Sequence, residues 1–318
     1  MEYREIPYVE KKASRIFFGT AMEPFLSGGD GSDLLDAVYE QGINAFDTAR
    51  VYQGAEKALG DWMEKRGNRN ELVILSKCGH PTPDWRKRVN EREMRQDFEM
   101  SSGYLKTDYI DIYLLHRDDP DVAAGEIVEI FNAMHAEGKI GAFGGSNWTC
   151  ERIEAANEYA YKHSMIPFTV SSPQFSLADQ VDDPWGGGCI SVSGHGGTSA
   201  REWYRKNGMA VIAYSSLAHG FLSGKVKSSD QGRTGEIIGS EAARAYACPE
   251  NFERLRRCEV LAEKKGCAVA QIAMAWLYRQ DLNVFAAVSA SKPERMRQNI
   301  EALSIDLSEE ETEWLDLR

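Results

Sequence analysis

Four side chains able to move or steer a proton follow one another along the chain: Asp47 and Tyr52 in FDTARVY, Lys77 in ILSKC, and His116 in YLLHR. Singly, each has an ordinary explanation. An Asp at a strand end caps a turn, a Lys is solvated, a Tyr packs as a ring, and a His satisfies loop carbonyls. Together they make a proton-transfer device. An unperturbed tyrosine titrates near pH ~10, too high for efficient transfer at neutrality. A neighbouring ammonium favours the phenolate, and a carboxylate keeps that ammonium charged and aimed. Tyr52 beside a Lys77 that is paired with Asp47 is therefore expected to have its pKa lowered toward the working range. His116 could then hold a substrate carbonyl by a hydrogen bond.

For these groups to meet, the elements that carry them must converge. Eight apolar runs are bounded by breakers: RIFFGTA, INAFDTA, LVILSKC, YIDIYLLHR, KIGAFGGSN, FTVSSPQ, MAVIAYSS and NVFAAVSA. Most are near-continuously apolar, as strands buried on both faces of a parallel sheet are. Helical segments alternate with them, at 33–41, 55–64, 90–103, 123–137, 150–163, 199–207, 251–280 in two pieces, and 292–302. Eight βα units in 318 residues predict an α/β fold, a (β/α)8 TIM barrel formed as a single domain over residues 1–318. Residues 3–12 predict an N-terminal hairpin at the barrel bottom. Residues 308–317 open on a capping-box pattern, Ser308 to Glu311, and predict a C-terminal helix. Two connections, about 176–198 after the sixth strand and about 218–250 after the seventh, are long enough to be expected over a site. Thr20, Asp47, Lys77, His116, Ser146, Asn147, Gln174, Ser215 and Ser289 fall at strand ends, which in such a barrel converge on the C-terminal face where its enzymes do their chemistry.

Bulk properties narrow the partners. A net charge of −12 argues against nucleic acid or an anionic membrane surface as the main partner, so an anionic ligand would need a local basic pocket. The six cysteines, at 78, 150, 189, 248, 258 and 267, form no C-x-x-C pair and no zinc-finger spacing. The N-terminus carries charges where a signal peptide needs an apolar stretch, and no apolar run is long enough for a membrane span. A reduced, cytoplasmic setting is expected. No G-x-G-x-x-G follows a strand, and Gly220 to Lys225 is one residue short of a P-loop, with Val226 in place of the Ser or Thr that binds magnesium. His80, His116, His195 and His219 show no ligand spacing, so no metal is expected. Lys292 and Arg295, three apart at the start of the last barrel helix, add two cations where a helix N-terminus already favours an anion.

The segments DTARVYQGAEKALG, ILSKCG, LLHRDDP, GKIGAFGGSN, AYSSLAHGFLSGK and SKPERMRQN resemble, in this order and spacing, the signatures of the aldo-keto reductases over nearly the whole chain. Departures are small: Gln53 stands where Gly is commoner, Ala55 where Ser is commoner, and Ser289 where some members carry Lys. The resemblance implies Tyr52 as general acid, Lys77 as its pKa tuner, Asp47 as the partner of Lys77, and His116 as orienter of the carbonyl. It implies cofactor contacts from Gly19, Thr20, Asp47, Ser146, Asn147 and Gln174, with Tyr214 stacked on a nicotinamide ring. Ser215, Leu217, Gly220 and Lys225 would fold over the pyrophosphate, and Ser289, Ser291, Lys292, Arg295, Gln298 and Asn299 would meet the adenosine end. Lys292 and Arg295 suit a 2′-phosphate, hence NADPH (NADP+) over NADH. The implied activity is an NADP-dependent oxidoreductase acting between a carbonyl (aldehyde, ketone or sugar-like) and its alcohol. The rival is a cofactor-binding, redox-sensing regulatory subunit with little turnover. Trp85, Trp148 and Trp185 could form an aromatic wall for a ring-bearing substrate.

Overall fold

The alternation of apolar runs and helical segments has its direct counterpart in the computed structural model, which describes all 318 residues. The backbone falls into two compact units, residues 1–172 with 209–211, and residues 173–208 with 212–318.

The first unit opens with the expected hairpin, β1 (Tyr3–Arg4) antiparallel to β2 (Ala13–Ser14), Tyr3 lying opposite Ser14. Six parallel strands follow: β3 (Ile16–Gly19), β4 (Ala45–Asp47), β5 (Val73–Cys78), β6 (Ile110–Leu115), β7 (Ile140–Ser146) and β8 (Val170–Ser172). All their residues are buried, as the continuous apolar runs require. Between them run α1 (Ser32–Glu40), α2 (Ala55–Arg66), α3 (Glu91–Leu105), α4 (Ala124–Ala136) and α5 (Cys150–Lys162). Helix starts and stops follow capping chemistry. Asn90 accepts the Glu93 N–H to open α3, Thr149 accepts that of Arg152 to open α5, and left-handed Gly67 closes α2. Phe46 of β4 packs on Phe18 and on Trp62 of α2 at centroid distances of 6.1 and 5.3 Å, which seats the strand carrying Asp47 in a rigid aromatic bed.

Register explains how the chemical residues come together. Asp47 pairs with Leu75, and Lys77 stands two residues further along β5; Lys77 pairs with Leu114, and His116 stands two residues beyond it. A step of two preserves the face of a strand. The three side chains therefore share one face while climbing two residues per strand.

The second unit carries α6 (Thr198–Asn207), the end of β9 (Ala210–Ala213), α7 (Thr234–Ile238), α8 (Ser240–Tyr246), α9 (Pro249–Lys265), α10 (Val269–Tyr278), β10 (Asn283–Val288), α11 (Pro293–Glu301) and α12 (Glu309–Leu315). The capping box at α12 is formed, Ser308 accepting the Glu311 N–H while Glu311 accepts that of Ser308. The connection after β9 is less irregular than expected, because α7 and α8 lie within it. The 176–198 connection has no helix before α6. It is tied down locally instead: Ile190 and Val192 exchange backbone hydrogen bonds with Gln174, Val181 donates to Ala245, and Arg244 pairs with Asp182. The eight parallel strands close into a barrel in the order β10-β3-β4-β5-β6-β7-β8-β9, the (β/α)8 architecture that the apolar runs predicted. No helix is long and apolar enough to cross a membrane.

Candidate active site

Asp47, Tyr52, Lys77 and His116 meet in the first unit. Lys77 Nζ donates to Asp47 Oδ1 at 2.5 Å and to the Thr48 carbonyl at 2.9 Å, and it lies 5.1 Å from the centre of the Tyr52 ring. The Tyr52 ring meets His116 edge-on, centroids 5.8 Å apart. Asp47, Lys77 and His116 are buried, and Tyr52 is half-buried. Tyr52 reaches this position because the chain turns immediately after β4: Tyr52 N–H donates to the Ala49 carbonyl, and Arg50 N–H donates to the Lys77 carbonyl.

Burial shapes the electrostatics of the cluster. It works against the charge of Lys77, but Asp47 and then Tyr52 more than offset it and hold the ammonium above the ordinary lysine value. The same burial pushes the Asp47 carboxyl up against the pull of Lys77. We take the pair as ionic, since a contact this close between a lysine and a carboxyl is a charge-assisted hydrogen bond. The Tyr52 phenol corrects the sequence-based expectation: burial raises it above its ordinary value, and Lys77 pulls it down without overcoming that. Tyr52 thus stands fully protonated at neutrality, which is the state an acid needs before it reacts. Burial, followed by the charge of Lys77, holds His116 well below the usual imidazole range, so the ring is neutral and Nδ1 has no hydrogen-bond partner.

A fifth group belongs to this cluster. The His80 ring lies 4.9 Å from that of His116 at 73°. Sequence reasoning weighed His80 only as a metal ligand; its position just past the β5 end that carries Lys77 was the signal that could have found it. No group of His, Cys, Asp or Glu has the makings of a metal site.

The remaining expected residues divide. Ser146 and Asn147 lie beside His116: Asn147 Nδ2 donates to Ser146 Oγ at 3.1 Å and to the His116 carbonyl at 3.5 Å. Gly19 is buried opposite Asp47 in the sheet. Thr20 is fully buried, with both its hydroxyl and its N–H on the Asp47 carbonyl. It braces the strand end. Gln174 is likewise 0% exposed: its amide donates to Ser176 Oγ and accepts from Ser191 and Ser193 at 2.6 and 2.8 Å. The aromatic wall loses Trp148, which is 1% exposed and packed between Phe168 and Arg152. Trp85 and Trp185 are 50% and 42% exposed, and Trp185 rests against His219 at 4.9 Å.

In the second unit Tyr214, Ser215, Leu217 and Gly220 are half-buried, on a turn in which Ser215, Ala218, His219 and Gly220 all take left-handed backbone. Lys225, Ser289, Ser291, Lys292, Arg295 and Gln298 are exposed, while Asn299 is buried. None of Lys225, Lys292 and Arg295 has an ion-pair partner, although surface cations elsewhere are widely paired, as Arg256 and Arg257 are with Glu253. In a chain of net charge −12, cations left without an ion-pair partner stand out.

Similarity to known proteins covers most of the chain. A norsolorinic acid reductase of Emericella nidulans is 29% identical over 300 residues, which cover 87% of this chain and 69% of that protein. A probable aryl-alcohol dehydrogenase of Saccharomyces cerevisiae is 27% identical over 299 residues, 89% of this chain and 86% of its own length. A putative voltage-gated potassium channel subunit beta of Schizosaccharomyces pombe is 26% identical over 293 residues, 87% of this chain and 81% of its own. The aldo/keto reductase family profile matches residues 15–316, from the start of the first barrel strand to the last helix, and so this chain belongs to the aldo/keto reductase family of oxidoreductases.

Proposed function

We propose that the chain is an NADP(H)-dependent reductase of an aldehyde or ketone, reversible to oxidation of the alcohol, with Tyr52 as general acid. The observation that carries the reading is the buried cluster in which Lys77 joins Asp47 at 2.5 Å and faces the Tyr52 ring at 5.1 Å. A protonated phenol gives its proton to the carbonyl oxygen as charge builds there. The Lys77 ammonium then stabilises the phenolate left behind, at a site where burial makes that charge otherwise costly. Asp47 keeps Lys77 charged and aimed. The neutral His116 ring donates one N–H to the substrate oxygen and orients it.

When bound, NADPH supplies the hydride. Lys292 and Arg295, exposed and without ion-pair partners, would hold its 2′-phosphate, and Lys225 its pyrophosphate. Double substitution of Lys292 and Arg295 to Ala is expected to weaken NADPH binding by about 30- to 700-fold, each charge-assisted contact contributing ~1–2 kcal/mol, with NADH binding little altered. Equal NADPH affinity in the double variant, measured by fluorescence titration, would remove the phosphate assignment. No disulfide joins any of the six cysteines, which suits a reducing cytoplasm.

Aryl carbonyls are the first substrates to try, given the activities named for the similar fungal proteins. A second reading, a cofactor-binding regulatory subunit with little turnover, is carried by the similarity to the channel subunit. NADPH oxidation across a panel of carbonyls separates the two: the enzyme reading expects sustained turnover on at least one, and the regulatory reading expects none beyond a slow single turnover.

A further inference from the structure

Lys77 and His80 leave the same strand end, separated by a turn held from several sides. Gly79 has φ +68°, and a Cβ there would lie 2.6 Å from Leu115 Cδ1, so only glycine makes this turn without strain. Behind it, Gly79 N–H donates to Asp97 Oδ2 at 2.9 Å. Asp97, buried on α3, takes a fork from Arg88 at 2.7 and 3.0 Å, and Arg88 also donates to the His80 carbonyl at 3.4 Å. The His80 ring is oriented in turn by a 2.9 Å contact between Nδ1 and the Pro81 carbonyl. A carbonyl only accepts, so Nδ1 carries the proton of this ring. The outcome of all these restraints is one contact, the His80 ring set edge-to-face against His116.

We propose that His80 is a positioning residue for carbonyl reduction: its clamped ring holds the His116 ring in the orientation that presents an N–H to the substrate oxygen and closes His116 off from water. The proposal rests on the reading of His116 as orienter of the carbonyl. His116 is faced by Lys77 from β5, by Tyr52 from the turn after β4, by His80, and by its neighbour Arg117; His80 is faced by Arg117, Arg88 and Asp97. The surroundings of His116 are thus cationic or neutral. Two imidazoles in contact there disfavour protonation of either, and both lie below the ordinary histidine value, burial being the first cause in each.

The test compares the full chain with His80→Ala and His80→Phe, following the His116 imidazole by NMR titration alongside NADPH-dependent turnover of an aldehyde. His80→Ala is expected to raise the His116 midpoint by about one pH unit as water reaches the ring, and to lower kcat about tenfold through lost orientation, with a smaller change in KM. His80→Phe restores a ring against His116 and is expected to recover most of both. Should His80→Ala not fold, His80→Asn removes the ring while keeping a donor for the Pro81 carbonyl and serves in its place. A His116 titration that is the same in the ring-less variant as in the wild type overturns the proposal, and so does a loss of kcat that His80→Phe does not recover. Wild type that reduces no carbonyl overturns the activity reading alone, because the titration reads the contact between the two rings without turnover.

Discussion

At the scale of single residues, burial outranks charge at Tyr52 and His116, while at Lys77 the charges win. The ammonium of Lys77 was expected to set Tyr52, yet desolvation moves the phenol the other way, and the same desolvation keeps His116 neutral. This has a stability consequence with a definite sign. The folded value of His116 lies below its unfolded value of about 6.5, so its contribution is fully present above that pH and is lost as pH falls through the folded value. Urea midpoints should therefore decline below about pH 6.5, and His116→Phe should make that decline shallower. A wild-type midpoint that is constant across this window would contradict the neutral assignment. Lys77→Met should cost turnover about as much as loss of the acid, roughly 100-fold or more, because an unpaired Asp47 and an unsupported phenolate remain. The meeting of Asp47, Tyr52, Lys77 and His116 was legible because residue types and strand ends coincide. The engagement of Thr20 and Gln174 was not, because it depends on partners that no local pattern announces, the Asp47 carbonyl and the serines 176, 191 and 193 around Gln174.

Among the elements, strand register turns spacing along the chain into a shared face, and the glycines allow the approach. A Cβ at Gly144 of β7 would overlap the Val170 carbonyl oxygen on β8. Gly144→Ala must push these neighbouring strands of the barrel apart and is expected to cost about 3 kcal/mol, read as a loss of thermal midpoint. The α12 cap is a smaller device. Ser308→Ala is expected to cost about 1 kcal/mol. Burial works against the Glu311 carboxylate, but hydrogen bonds from Lys265 and Lys264 and from the Ser308 N–H hold it down to about 2. Its contribution is present above about pH 4.3 and is lost as pH falls toward that lowered value, so Glu311→Gln should blunt acid unfolding while leaving the fold intact. Element positions were read closely from periodicity, as α5 shows at Cys150–Lys162 against an expected 150–163. The helices α7 and α8 were missed because elements of five and seven residues, such as Ser240–Tyr246, are too short for apolar periodicity to register.

For the whole molecule, the net negative charge means that, on the proposed reading, an anionic cofactor would depend on a few cations without ion-pair partners. NADPH binding should accordingly weaken with added salt more than NADH binding does, since the 2′-phosphate adds charge to be screened. Equal salt slopes for the two would argue against Lys292 and Arg295 as the phosphate contacts. The barrel itself was legible from eight apolar runs, because burial on both faces leaves parallel strands no polar alternation to hide in. The central claim is that the Asp47–Tyr52–Lys77–His116 cluster reduces a carbonyl with Tyr52 as the acid. Its most direct test is the rate of aldehyde-dependent NADPH oxidation in Tyr52→Phe against wild type, on a carbonyl that the wild type turns over. The predicted result is a loss of about 100-fold or more with NADPH affinity retained. Full turnover by Tyr52→Phe would contradict it.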